Sequence, residues 1–477
     1  MWCCMLRTLK SRSKRVIKEA IRPLVKRYAP KRIDLPMSLW NLSRDASGVL
    51  CLHGVDLRSL LERYGSPLHV VDAAKLDANV AAFLQTPAGS ERGCEVYYSY
   101  KTNPIPGVLR RMHTQGIGAE VISAYELWLA LKLGVAPEDI VYNGPAKSEA
   151  SLVQAIEQQI GLLNFNSRDE IAPFAALARR LGKRPRVGVR VAVPGGWAGQ
   201  FGESLYDGAA KRAFEEALNH PELEVIALHA HLGSEIASAW QLEGFVRSVL
   251  AFSDELHQEL GIELEVLDFG GSLACPTTVH LSQRELRLNS AFQADLLPRP
   301  PESVLSVRDY IAKVISLVEG HYYAAGRKRP RIFLEPGRAM TSNTQTLLCR
   351  TMITKSDGEM SYAILDAGIN VAEPLRSEYH QLFPIGPAAS DRSQTYRLAG
   401  PICTPADVLY HAWILPELRP GDGLAIMDSG AYFVPFATSF SFPQPAVLML
   451  DQGRETLLRR GESFTDMIAL DEEEMFP

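Results

Sequence analysis

The sequence predicts an α/β fold, a TIM-like (β/α)8 barrel followed by a C-terminal β-rich domain, and three observations carry that expectation. Short hydrophobic runs alternate with amphipathic helical segments about eight times before Ser342, and polar residues and glycines gather at the C-terminal ends of the runs. Beyond Ala339 the strand-like runs continue while the helices between them disappear. Repeated βα units build parallel sheets, and the C-terminal rim is where a barrel places its chemistry. The chain is expected to divide into an extension (1–35), a lead-in segment packing on the C-terminal domain (36–66), the barrel (67–342) and the β-rich domain (343–477).

The extension carries eleven basic residues and one acidic residue between Arg7 and Arg32, with Ile17, Ile21, Leu24 and Val25 at near-helical spacing. Such a segment is either a solvated arm or a weak contact for an anionic membrane or a partner protein. PLHVVDAAKL (67–76) reads as a strand entering a helix. EVYYSYKTN (95–103) reads as a strand with a charged end, and IPGVLRRMHTQG (105–116) as a helix closed by glycine. Strand-like GAEVIS, DIVYNG, LLNFNS, RVGVRVAV, VIALHAHLGS, LEVLDFGGS and RIFLEPGR follow, mostly separated by helical segments such as SAYELWLALKLG. Thr277 to Val307 is polar and contains prolines, as an active-site or surface loop would. QTLLCRTMITKS, MSYAILDAG, DGLAIMD and AVLML supply the strands of the second domain.

With 46% hydrophobic residues and a net charge of -5, the composition is that of a soluble globular protein with no call for nucleic acid. The seven cysteines are scattered and lack metal-ligand spacing, which argues for a reducing, cytoplasmic setting without structural zinc. No apolar run approaches the roughly 20 residues of a membrane span.

Lys101 closes a hydrophobic strand just before Pro104, so its amine belongs at the barrel mouth, where burial and neighbouring cations would lower its pKa. Gly233-Ser234, after His231, and Gly270-Gly271-Ser272 form two small-residue turns suited to cradling phosphate with backbone N–H groups. EPGR (335–338) ends the last barrel strand, with Glu335 directed inwards and Arg338 carrying the fork that suits a phosphate.

These motifs, in this order, resemble the fold-type III pyridoxal-phosphate decarboxylases, the family of diaminopimelate, ornithine and arginine/lysine decarboxylases, and most of all their diaminopimelate branch. The resemblance runs from near Pro67 almost to the C-terminus. It implies pyridoxal 5′-phosphate bound covalently to Lys101 in YSYKTN, with His231 against its ring, Ser234, Gly270, Gly271, Arg338 and Tyr432 near its phosphate, and Glu335 at its ring nitrogen. Glu120 stands where the family usually has aspartate, and Ser272 where a third glycine is common. GPICTPADVL implies that Cys403 and Asp407 approach the active site of the neighbouring subunit in a homodimer, with Cys403 a proton donor to Cα and Lys101 its competitor.

The departures from the family lie where substrate would be read. Thr404 replaces an acidic residue, Glu373 stands before Pro374 in place of arginine with Arg376 as a compensating candidate, and Ala192 and Gln200 replace asparagine and lysine. The expected activity is therefore decarboxylation of an unusual amino acid, carboxylated or carrier-attached ahead of free ornithine. A racemase or epimerase and a non-catalytic regulatory homologue are the alternatives; Glu335 favours decarboxylation because a protonated pyridine is a strong electron sink.

Overall fold

The computed structural model describes residues 20–21, 35–90, 92–233, 235–292, 304–358, 360–387 and 392–471. The basic extension lies outside the described residues apart from Ala20 and Ile21, and so does Ser234.

Eight strands form the barrel: β1 (Glu95–Ser99), β2 (Gly118–Val121), β3 (Ile140–Tyr142), β4 (Leu162–Phe165), β5 (Arg186–Ala192), β6 (Glu224–Ala230), β7 (Val266–Asp268) and β8 (Arg331–Leu334). Each pairs in parallel with the next, and β8 returns to β1, closing the cylinder.

The strand period of two sorts the interior into layers. Tyr97, Val141, Leu162, Ala227, Val266 and Phe333 pack together as an apolar plug in the lower barrel. Two residues further along the same strands come Ser99, Asn143, Asn164, His229, Asp268 and Glu335, all buried and all polar. Gly118 and Gly188 precede Glu120 and Arg190 by the same step; a Cβ at Gly118 would run into the Tyr97 ring, and one at Gly188 into Asn164. The alternation that builds the strands thus turns a dry core into a polar floor within one step of β-structure.

Helix Ala73–Phe83 buries Ala73, Leu76, Val80 and Phe83, and the Asp72 carboxylate caps its N-terminus through the N–H of Lys75. It precedes β1 and packs against helices Pro106–His113 and Val307–Ala324, taking the place of an eighth helix, because β8 is followed only by the short helix Arg338–Thr341. The strand before it, Leu68–Asp72, which the sequence analysis sets at the head of the barrel, pairs in the second sheet. It lies antiparallel to Gln345–Asp357 and parallel to Ala446–Asp451. All five of its residues are buried, as in a central strand, and a run that short carries no periodicity to say which sheet it joins.

In the second domain, neighbouring residues of Gln345–Asp357 serve opposite faces. Leu347 packs with Leu365, Tyr396, Leu398 and Trp413, whereas Leu348 packs with Ala425, Leu448 and the lead-in residues Trp40, Leu50, Leu57 and Leu60.

Asp407, expected to approach the neighbouring subunit's site, is buried in this domain and does not line its own chain's cavity described below. Its carboxylate accepts the N–H groups of Ile369 and Ile402, each at 2.8 Å, and Gly368 and Gly400 press so closely that a Cβ on either would strike it. It ties two loops together. Asp407→Ala is expected to cost about 2–3 kcal/mol, because two buried charge-assisted hydrogen bonds lose their acceptor; urea unfolding measures the loss.

Candidate active site

At the C-terminal ends of the strands lies a cavity of about 470 Å³, lined by Lys101, Glu120, Asn143, Arg190, His229, His231, Gly271, Glu335, Arg338 and Tyr432 among others. β1 stops at Ser99, and one tight 3-10 turn over Tyr100–Thr102 buries Tyr100 and Thr102 while leaving Lys101 on the cavity wall. Glu120 accepts from the Ser99 hydroxyl at 2.5 Å and from the Asn143 amide at 3.0 Å, and lies 3.9 Å from the Lys101 amine. The expectation of a lowered lysine pKa is overturned. Burial acts in that direction, but the charges of Glu120, Tyr432 and Glu335 outweigh it, and the amine is held above its ordinary value. The nearby cation, Arg190, is the weaker influence.

Opposite stands a buried group of His229, Asp268 and Glu335, whose ligand-type atoms all lie within 4.8 Å of one another. Glu335 accepts from Asn143 at 2.6 Å, and His229 Nε2 is 3.5 Å away. Burial and then the neighbouring Asp268 and Glu120 carboxylates push Glu335 well above the usual carboxylate range, and burial raises Asp268 to about 6. Asp268 Oδ2 and both His229 ring nitrogens have no hydrogen-bond partner. A carboxylate pair with raised affinity for protons, next to unsatisfied polar atoms, suits a protonated ring nitrogen.

The Gly270-Gly271 turn is shaped by close approach. A Cβ on Gly270 (φ 61°) would enter the His231 ring, and one on Gly271 would meet the Glu335 carbonyl oxygen. Of the amides that the sequence analysis offers to a phosphate, those of this turn point inward: Gly270 N–H donates to Asp268 at 2.9 Å and Gly271 N–H to His231 Nδ1 at 3.3 Å. Burial, with Lys101 and Arg190 nearby, holds His231 well below its usual pKa, so the neutral ring accepts that hydrogen bond. The edge of its ring meets Trp197, 5.3 Å between centroids.

Arg338 lies over the Tyr432 ring at 5.0 Å and grips Glu378 with two hydrogen bonds, 2.7 and 3.0 Å. His380 Nε2 also meets Glu378, at 3.0 Å. Burial alone would raise Glu378, yet the His380 hydrogen bond and the Arg338 charge bring it down to about 2. A carboxylate with a lowered pKa stabilises the fold above its unfolded value and loses that contribution as pH falls from about 4.5 towards 2. Glu378→Gln is therefore expected to destabilise the protein by about 3 kcal/mol at pH 7, a deficit that shrinks over that window in urea titrations.

Several expected residues lie elsewhere. Glu373 lines the cavity, but Cys403 and Thr404 do not, and Arg376 lines a neighbouring cavity of about 290 Å³ with Tyr410 and Trp413. Among the described free cysteines, Cys403 is the exposed one. Conversely, Asn143, Arg190, His229, Trp197, Phe201, Glu235, His280 and Glu378 line the cavity without having been singled out. The polar step at each strand end was a usable signal for the first three. For His280 there was none: it arrives because the long loop after β7 forms a two-residue strand, Val279–His280, against Glu378–Tyr379.

The wall thus presents an amine, an acidic base and an arginine around one cavity, a set that fits pyridoxal phosphate. Comparison with known proteins agrees. Residues 78–342 match the family described as "Pyridoxal-dependent decarboxylase, pyridoxal binding domain". The chain is similar to diaminopimelate decarboxylase of Aquifex aeolicus, 26% identical over 87% of this chain and 94% of that one, and to that of Bacillus subtilis, 26% over 89% and 95%. Among solved structures it resembles diaminopimelate decarboxylase from M. jannaschii in complex with L-lysine, at a TM-score of 0.80 and 25% identity, covering 90% of this chain and 97% of that one.

Proposed function

Because this chain belongs to the family of pyridoxal-dependent decarboxylases, we propose that it removes the α-carboxyl group of a specialised amino acid distinct from the one its relatives are named for. The carrying observation is that Lys101, Glu335 and Arg338 converge on one cavity from the neighbouring C-terminal ends of the parallel strands β1 and β8, while the residues expected to read substrate depart from the family pattern. Lys101 would hold the cofactor covalently, Glu335 with Asp268 would face its ring nitrogen, His231 its ring, and Tyr432 and Ser234 its phosphate, where Arg338 and the Gly270-Gly271 amides would join them by giving up Glu378, Asp268 and His231. Pyridoxal phosphate, when bound, supplies a ring that accepts the electron pair released as the Cα–carboxylate bond breaks.

The protein's own part is positioning and proton transfer. His231 and Trp197 together form one side of the cavity. Lys101, already near Glu120, can return a proton to Cα; exposed Cys403 of a second copy is the preferred donor. The enzyme then works in the cytoplasm as a homodimer with shared sites. Mixing Lys101→Ala and Cys403→Ala chains would restore about a quarter of wild-type activity, since half the dimers would carry one intact site of two. No recovery would put Lys101 and Cys403 in one subunit's site and end the shared-site reading, and full activity of the Cys403→Ala chain alone would remove Cys403 from the site.

The reaction itself is tested by mass spectrometry of the holoenzyme with a pool of free and carrier-attached amino acids, using Lys101→Ala as control. A product lighter by one carboxyl group supports the reading. Inversion at Cα without loss of mass would replace it with racemisation.

A further inference from the structure

We propose that Asn143, with its amide held the right way round by Asn164, is a positioning residue that fixes two acids of the site in place, Glu120 beside the amine and Glu335 where the ring nitrogen would lie; this deepens, and rests on, the decarboxylase reading above. The geometry is the first support. Asn143 is buried just past the end of β3, and its amide nitrogen donates to Glu120 at 3.0 Å and to Glu335 at 2.6 Å, one hydrogen for each carboxylate. Glu120 in turn lies 3.9 Å from the Lys101 amine. One side chain therefore braces the wall that carries the amine against the wall opposite.

The direction of that amide is a second, independent support. Turned over, it would set its oxygen against two carboxylates. Asn164, on the next strand, donates to the Asn143 oxygen at 2.9 Å and prevents this. The Asn164 oxygen has no hydrogen-bond partner among the described residues, and it lies where a Cβ on Gly188 would go, so the pair is packed as well as bonded. A buried oxygen left without a donor is costly, and here it accompanies an amide that can face only one way.

The charges around Glu335 give the brace its use. Burial, then Asp268 and Glu120, strengthen the hold of Glu335 on a proton, and His229, Arg190 and Lys101 face it as well. The Asn143 hydrogen bond works against burial and favours the ionised acid. An acid that keeps its proton leaves the ring nitrogen without one, and the ring becomes a weaker electron sink.

Urea unfolding of the apoproteins between about pH 9 and pH 5 tests the brace, and carbon dioxide release by the holoenzymes from the pooled amino acids tests its use. Asn143→Ala should be less stable than the wild type at the alkaline end, and the gap should shrink by about half or more as pH falls. The sign follows because Glu335 of the variant takes up its proton at higher pH than Glu335 of the wild type, and a protonated acid misses the donor less. Carbon dioxide release should fall by about tenfold to a hundredfold. Asn164→Leu, close in volume and without a hydrogen bond to either acid, should move both readouts the same way by a smaller amount and guards against a folding defect in the first variant. A gap that is the same at every pH in both folded variants, or unchanged carbon dioxide release, would overturn the inference, since packing alone has no such pH dependence. The pH-dependent gap, together with a wild type that releases no carbon dioxide, supports the brace and sinks the decarboxylase reading instead.

Discussion

Lys101→Ala is expected to leave the protein folded, to lose covalent attachment of the cofactor, and to lower kcat by about a thousandfold or more, roughly 4 kcal/mol of activation free energy. The fold should survive because Glu120 keeps its hydrogen bonds from Ser99 and Asn143, and because Tyr100 and Thr102 hold the turn through their own burial. Intact mass after borohydride reduction reports attachment directly: the wild type should gain the mass of the cofactor and the variant should not. Retained attachment in the variant would move the covalent role to another amine. Lys147 is the nearest rival, but its amine is spent on Glu170 at 2.8 Å and on the Gly144 carbonyl.

Glu335→Gln should separate catalysis from stability. Losing the carboxylate weakens the hold on a proton at the ring nitrogen, and kcat should fall by about a hundredfold, within the range for removal of one preorganised electrostatic group. The apoprotein should nevertheless become more stable by about 1–3 kcal/mol at pH 7, because a buried acid raised by desolvation and by Asp268 disfavours its charged form. The sign follows from linkage: the native state binds the extra proton, so the wild type gains on the variant as pH falls from 7 towards 4. The glutamine can still accept the hydrogen bond that Asn143 donates. Thermal unfolding of both apoproteins across that range checks it, and a wild type more stable than the variant at pH 7 would refute the account.

The chain declares its barrel plainly because βα alternation is local. Each strand and helix states its own period, and YSYKTNP and EPGR announce where a strand stops and a functional side chain begins. Lys101, Glu335, Arg338 and His231 were legible for that reason. What stayed hidden depends on closure. Asn143, Arg190 and His229 face one another only after the barrel wraps round, and Glu378 reaches Arg338 only when the second domain folds against the rim. Asp407 carries a structural duty the motif did not announce: it staples two loops, and only the two amides it accepts reveal that. The direction of the Lys101 shift was misjudged for the same reason, since Glu120 lies on the neighbouring strand and its approach is a tertiary fact.

The borrowed helix before β1 has a consequence for how the chain comes into being. Leu68–Asp72 emerges from the ribosome early, fully buried in its final state, yet its partners Gln345–Asp357 and Ala446–Asp451 are made late and last. Until then one of the most buried strands of the finished molecule has open edges, the condition that invites pairing with the wrong chain. Helix Ala73–Phe83 meanwhile has the first barrel helix to dock on but must wait for Val307–Ala324. Synthesis therefore cannot bank one domain before starting the other, and refolding from denaturant should be slow and lowered in yield at high protein concentration, as expected where the decisive contacts join the two ends of a long chain.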